Sequence, residues 1–298
     1  MTRAFLIGIL FLPCHFAAAE SDRPGYVLEF PASVKTVLVA ETDTATLHRY
    51  VVNEQGWTNV ATRRMSIGQN GVGKSRVGDQ RTPLGVYFVV EELDTKNLHE
   101  KYGPVAFPLD YPNAWDQASQ RSGHGIWIHG VTPGSGQRPE RDTDGCIALA
   151  NEELLSLGPH LTPLQTPVIV TRQIQTMSEQ DINAVRNQLS GALQHWADSY
   201  RSGDWNRYLS LYTPDFAYRG MDRDEWSAYR LQTVGDRRIE DFTIDDVLLI
   251  ADPEEPGLYL SRFRQTVTES GQTIATIKRL YWRKSAQGEF QIVAEDNG

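Results

Sequence analysis

Cys146 and His129, seventeen residues apart, are the two side chains of this sequence best suited to joint chemistry. A thiol attacks well only after a base takes its proton, or after nearby positive charge lowers its pKa from about 8.5. Histidine titrates near neutral pH and can take that proton. His129 closes the alternating segment GIWIHG, and Cys146 follows a long Gly/Pro/Arg loop and the turn pair Asp144-Gly145. Strand end, loop and tight turn together bring distant residues into one pocket. Gly145 lets the backbone approach a substrate carbonyl, so its N–H and that of Cys146 are candidate donors to an oxyanion.

Each of these residues also has a plainer role to set beside that one. A lone cysteine is often a buried, inert thiol, and a lone histidine a satisfied core residue. Asp144 either orients His129, contacts a substrate amine, or is the ordinary Asp of an Asp-Gly turn. His124 either shapes the pocket or leads into the strand from solvent. Arg138 and Arg141, in the loop beside the site, either meet a substrate carboxylate or are solvated loop charges; Arg81 reads as a salt-bridging or solvated residue. The histidines are scattered and no pair has metal-ligand spacing, so neither metal nor cofactor is expected.

The elements that must carry these residues are short strands. KTVLVAE (35–41) is an apolar run, and TLHRYVV (46–52) its hairpin partner. A Gly- and Lys/Arg-bearing loop over 69–82 leads into GVYFVVEEL (85–93), and Pro104 to Pro112 is extended. In GIWIHG, strict alternation puts Ile126 and Ile128 on one face and Trp127 and His129 on the other. Asn151 reads as the cap of a helix over 152–157 stopped by Gly158-Pro159, and PVIVTR (167–172) closes this half. After Gln173 the spacing changes. Ile182, Val185, Leu189, Leu193, Trp196 and Tyr200 fit a helix capped by Ser178, with shorter helices over 204–212 and 222–233. Strands over 242–251, 257–268, 273–282 and 290–294 complete an α+β unit. Its aromatics (Trp196, Trp205, Tyr208, Tyr212, Phe216, Trp226) read first as core and second as the wall of a ligand cavity.

Arg3, the apolar run Ala4 to Phe16 and Ala17-Ala18-Ala19 have the order of a secretory signal peptide, too short to span a membrane. Cys14 leaves with it, and Cys146 stands alone in a compartment that oxidises thiols in pairs. Losing Arg3 takes the net charge from −9 to −10, which disfavours binding to nucleic acid through phosphate contacts.

HGIWIHG (124–130) and TDGCIALAN (143–151), preceded by IGQNGVGKSRVGDQRTPLGVYFV (67–89), resemble the L,D-transpeptidase (YkuD-like) family. The match includes Lys74, Gly78, Asp79, Arg81, Thr82, Pro83, Gly85 and Tyr87 and covers about residues 35–172. The resemblance implies a mostly β, YkuD-like sandwich with short helices. It also implies attack by Cys146 on the carbonyl at the L-centre of diaminopimelate in a peptidoglycan stem peptide, with His129 as base, Gly145 beside the nucleophile and a thioester resolved by an amine or water. Gly130, Asp144, Thr143, His124 and Arg141 are the expected substrate-side residues.

Two departures matter. Ala148 stands where transpeptidases of the family usually carry an arginine, and Asp144 where a histidine is common. The TDGCIA variant looks more like the hydrolase branch of L,D-carboxypeptidases and an amidase. HWADSYRSGDWNRYLSLYTPDF (195–216) resembles the cone-shaped nuclear transport factor 2-like (SnoaL-like) fold, and a group of cell-shape carboxypeptidases joins the same two domains. The expected organisation is a signal peptide over 1–19, a catalytic domain over 30–172, a linker over 173–180 and the second domain over 181–298. Acyl transfer, hydrolysis and a catalytically silent wall-binding scaffold stay open as functions. Peptidoglycan stem peptides are the expected partner, with export to the periplasm, no stable membrane insertion and homodimerisation one role left to the second domain.

Overall fold

The protein, described by a computed structural model over residues 23–53, 56–136, 138–234 and 239–298, is mostly β. The expected leader over 1–19, with Cys14, lies outside the described residues. The first half is built on a five-stranded sheet in the order Gly56–Arg64, Thr46–Asn53, Val37–Glu41, Pro167–Thr171, Gly85–Phe88. Packed on it is a four-stranded sheet in the order Ile147–Ala148, Trp127–His129, Val105–Pro108, Leu93–Asp94. A two-stranded ladder, Arg141–Thr143 with Ile67–Gly68, closes one side.

Alternation along the central strands explains why they read as continuous apolar runs. Leu38, Ala40, Val168, Val170 and Tyr87 face inward onto Phe107, Ile126, Ile128 and Ile147. Their neighbours Val37, Val39, Ile169, Val86 and Phe88 are buried on the opposite face. A strand covered on both sides shows no polar phase. The strand Gly56–Arg64, which the sequence reading did not anticipate, is the reverse case: an edge strand, mostly half-buried or exposed and rich in polar residues.

The second half places the helices Glu179–Ser202, Trp205–Ser210 and Arg223–Val234 on an antiparallel sheet. The Ser178 hydroxyl caps the first helix by accepting the Asp181 N–H at 3.1 Å. That sheet runs Val27–Glu29, Ile239–Ala251, Leu258–Glu269, Gln272–Lys284, Phe290–Asp296. Its first strand comes from ahead of the first half, pairing Val27 with Ile250. On the helical face, Trp196, Tyr208, Tyr212, Phe216 and Trp226 form a dense aromatic core with Phe263, Leu280 and Trp282. On the other face, Leu248, Ile250, Leu258, Leu260, Tyr281 and Val293 meet the outer face of the first half's five-stranded sheet in one shared core. Each such side chain, once buried, contributes about 1.5–3 kcal/mol. Polar ties frame the contact. Arg121 binds Asp116 at 3.0 Å and also Glu255, while Arg279 binds Asp296 at 2.8 Å and also Asp110. Among the described residues no helix is long and apolar enough to cross a membrane.

Candidate active site

The strand Trp127–His129 carries the candidate base and is hydrogen-bonded on both sides. It runs antiparallel to Val105–Pro108 and parallel to Ile147–Ala148, with Ile147 opposite Ile128 and Ala148 opposite His129. Paired residues point to the same side of a sheet. Ile128 and Ile147 therefore enter the core, while Cys146, Ala148, Trp127 and His129 share the other face. The register thus sets the thiol and the imidazole on the same face of this sheet.

Both groups are deeply set, Cys146 8% and His129 3% exposed. His129 Nδ1 lies 2.6 Å from the Gly130 carbonyl. A carbonyl only accepts, so Nδ1 carries the hydrogen and Nε2 keeps its lone pair. Tyr102 meets the ring edge-on at 5.2 Å and packs on Trp127 at 4.9 Å. The Cys146 thiol points to the Gly125 carbonyl at 3.3 Å. Burial pushes His129 down to about 4 against the opposing pull of the Gly130 carbonyl, and Arg138 and Lys101 push it further. Burial pushes the Cys146 thiol up to about 11, with the Trp127 N–H, Lys101 and Lys74 pulling only partly back. At neutral pH the thiol is protonated and the imidazole neutral.

The turn before Cys146 corrects one expectation. The Gly145 N–H, expected to face an oxyanion, donates to the Thr143 hydroxyl at 3.1 Å, and that hydroxyl donates to the Cys146 carbonyl at 2.7 Å. Thr143, expected to face substrate, is thus buried and engaged within the turn. The Cys146 N–H has no hydrogen-bond partner among the described residues and remains the segment's candidate oxyanion donor. Gly145 is required for a different reason. Its φ is +120°, and a Cβ there would lie 2.6 Å from the Arg81 carbonyl oxygen. On the far side, the buried Thr82 hydroxyl donates to the Gly145 carbonyl at 2.9 Å and accepts the Gly68 N–H at 2.9 Å.

Asn151 corrects a second expectation. The helix Asn151–Leu157 starts without a side-chain cap. Asn151 instead clasps Val131, accepting its N–H at 2.8 Å and donating to its carbonyl at 3.0 Å. A Cβ on Gly130 would lie 2.3 Å from Asn151 Oδ1, so the close approach of these two segments requires glycine there. Asp144 is exposed, receives Gln80 Nε2 at 3.2 Å and Lys101 Nζ at 3.5 Å, and does not orient His129. His124 and Arg141 are exposed, and Arg138 is bound to Asp142 at 2.6 Å. Ala148 borders a cleft of about 340 Å³ that Arg63, Arg64 and Arg138 also line. In the loop over 69–82, Asp79 sits at about 2. Burial opposes this, but Lys74 at 2.8 Å and the N–H groups of Arg76, Ser75 and Arg81 outweigh it. Sequence reasoning missed Thr82, Asn151, Lys101 and Tyr102 as site residues; Thr82 and Asn151 lay inside quoted motifs, Lys101 and Tyr102 outside them.

Comparison with known proteins agrees with this architecture. Residues 36–170 match the L,D-transpeptidase catalytic domain, YkuD, and residues 188–296 match the Cds6 C-terminal NTF2-like domain. No curated protein matches the chain in sequence. Among solved structures, the helical cell shape determining protein Pgp2 from Campylobacter jejuni is 21% identical, with 92% of this chain and 96% of that one covered at a TM-score of 0.77. Bd1075 from Bdellovibrio bacteriovorus is 20% identical, covering 93% and 98% at a TM-score of 0.73. At these identities the likeness shows a common fold running through both halves.

Proposed function

On the premise that this chain joins an L,D-transpeptidase catalytic domain to an NTF2-like domain, we propose that it is an exported peptidoglycan enzyme working through a thioester on Cys146. The observation that carries this reading is the strand register that sets Cys146 and His129 on one face, with the imidazole held as a base by the Gly130 carbonyl. His129 Nε2 takes the thiol proton as the sulfur attacks the carbonyl at the L-centre of diaminopimelate in a stem peptide. The tetrahedral oxyanion is met by the Cys146 N–H. Its collapse expels the D-residue amine, which takes the proton from His129, and an amine or water then releases the acyl group.

Transfer to an amine is the family reaction; hydrolysis is the second reading. Ala148 supports hydrolysis, because it stands where transpeptidases of the family usually carry an arginine. The two-domain fold shared with a cell shape determining protein supports a role in trimming stems to set cell shape. Export to the periplasm follows from the leader-like first nineteen residues and the nature of the substrate.

The test is incubation with tetrapeptide muropeptides followed by mass spectrometry. Tripeptides with released D-alanine establish carboxypeptidase action, and cross-linked dimers or D-amino-acid exchange establish transfer. No product from any stem or lipoprotein-linked substrate, with an unreactive thiol, would leave the silent scaffold as the answer.

A further inference from the structure

We propose that Thr82 is a positioning residue for the oxyanion donor, holding the Gly145–Cys146 peptide so that the Cys146 N–H faces the reacting carbonyl. This rests on the reading of Cys146 as an acyl-accepting nucleophile.

A trans peptide is planar, with its C=O and N–H pointing in opposite directions. Whatever fixes the Gly145 carbonyl therefore fixes the Cys146 N–H on the other edge of the same plane. The Thr82 hydroxyl is the group that holds that carbonyl, at 2.9 Å, and it is itself held by the Gly68 N–H at 2.9 Å. Thr82 is fully buried, so no water competes for the contact. Gly145 has no side chain to resist rotation of the plane, and its φ of +120° is a conformation that other residues rarely adopt. The preceding peptide is pinned separately, because its N–H is bonded to Thr143. Without Thr82 the Gly145–Cys146 plane would lose its lateral anchor, and the Cys146 N–H its aim.

In the step concerned, the Cys146 sulfur forms a bond to the carbonyl carbon while the π pair moves to oxygen. The thiol proton goes to His129 Nε2, then to the leaving group as its bond to carbon breaks. Alkylation of the same sulfur by iodoacetamide displaces iodide at a saturated carbon and creates no oxyanion. The ratio of the two rates isolates the donor.

The experiment measures acylation by p-nitrophenyl acetate and alkylation by iodoacetamide on the full protein, by intact mass. Losing an oxyanion donor costs about 10²–10³ in rate, so a donor left misaimed is expected to lower acylation by about 30-fold or more. Thr82→Val should show that loss with alkylation within about threefold of wild type, and Thr82→Ser, which keeps the hydroxyl, should stay within about threefold on both. Thr82→Ala removes the hydroxyl without apolar bulk and must show the same fall in ratio, including if the valine variant does not fold. Equal losses on both reagents, or hydroxyl-free variants acylated like wild type, would overturn the proposal. A wild-type thiol that takes iodoacetamide but no acyl group would instead overturn the reading of the site itself.

Discussion

At Cys146 burial outweighs the attraction of Lys101 and Lys74, so the sulfur is protonated at neutral pH, and the His129 imidazole is uncharged. Alkylation should then climb steadily as pH rises from 6 to 9.5, since only the rare thiolate reacts. A rate already level above pH 5 would show a preformed thiolate–imidazolium pair and refute the neutral resting state. His129 also bears on acid stability. The unfolded chain takes up a proton near 6.5 that the folded ring refuses until about 4, so stability falls as pH drops through that window. Cys146→Ala should abolish turnover on muropeptides while melting within a few degrees of wild type, because no other side chain can carry the acyl group. Residual turnover in that variant would remove the thioester from the mechanism. At this scale the sequence is informative about residue types and less so about their atoms. The glycine before the cysteine is legible, but that its N–H is bonded to Thr143 depends on a hydroxyl rotamer and a turn closed in space.

Among the elements, alternation finds the strand that ends at His129, and helical spacing finds the long helix after Ser178. The polar edge strand Gly56–Arg64 escapes, because it buries little and therefore has no strong periodic signal. Asn151 shows a related limit. Its place before a helix suggests a cap, yet its amide holds Val131, one residue beyond the Gly130 carbonyl that orients His129. Replacing it with alanine strips the Val131 N–H of its acceptor at a cost of about 1–3 kcal/mol. Asn151→Ala should therefore lower both melting temperature and kcat while leaving iodoacetamide still able to reach Cys146. An unchanged kcat would separate this clasp from the chemistry.

Over the whole molecule, two sheets press their outer faces together, and polar groups are trapped where they meet. Asp252, in the turn before Leu258–Glu269, accepts the Glu254 and Glu255 N–H groups at 2.9 Å through one oxygen and turns the other toward Gly85 of the first half. Burial lifts its carboxyl to about 6. A raised carboxyl favours the folded state below about pH 4, and that contribution is lost as pH rises through 6. Asp252→Asn keeps the accepting oxygen and removes the buried charge, so it should stabilise the protein at pH 7 by about 1–2 kcal/mol and hardly at all at pH 4. Equal shifts in melting temperature at both values would contradict the desolvation argument. Nothing in the sequence announces this contact, since apolar residues on an outward sheet face look the same whether they meet a neighbour or begin a core. The strand Val27–Glu29 has a related consequence. The Val27–Glu29 segment stays unpaired until it meets Ile250 and Leu249, which follow the whole first half in the sequence. A version begun at residue 30, however sound its active site, would bare the Leu249–Ile250 end of the Ile239–Ala251 strand, a margin inviting other chains to pair with it.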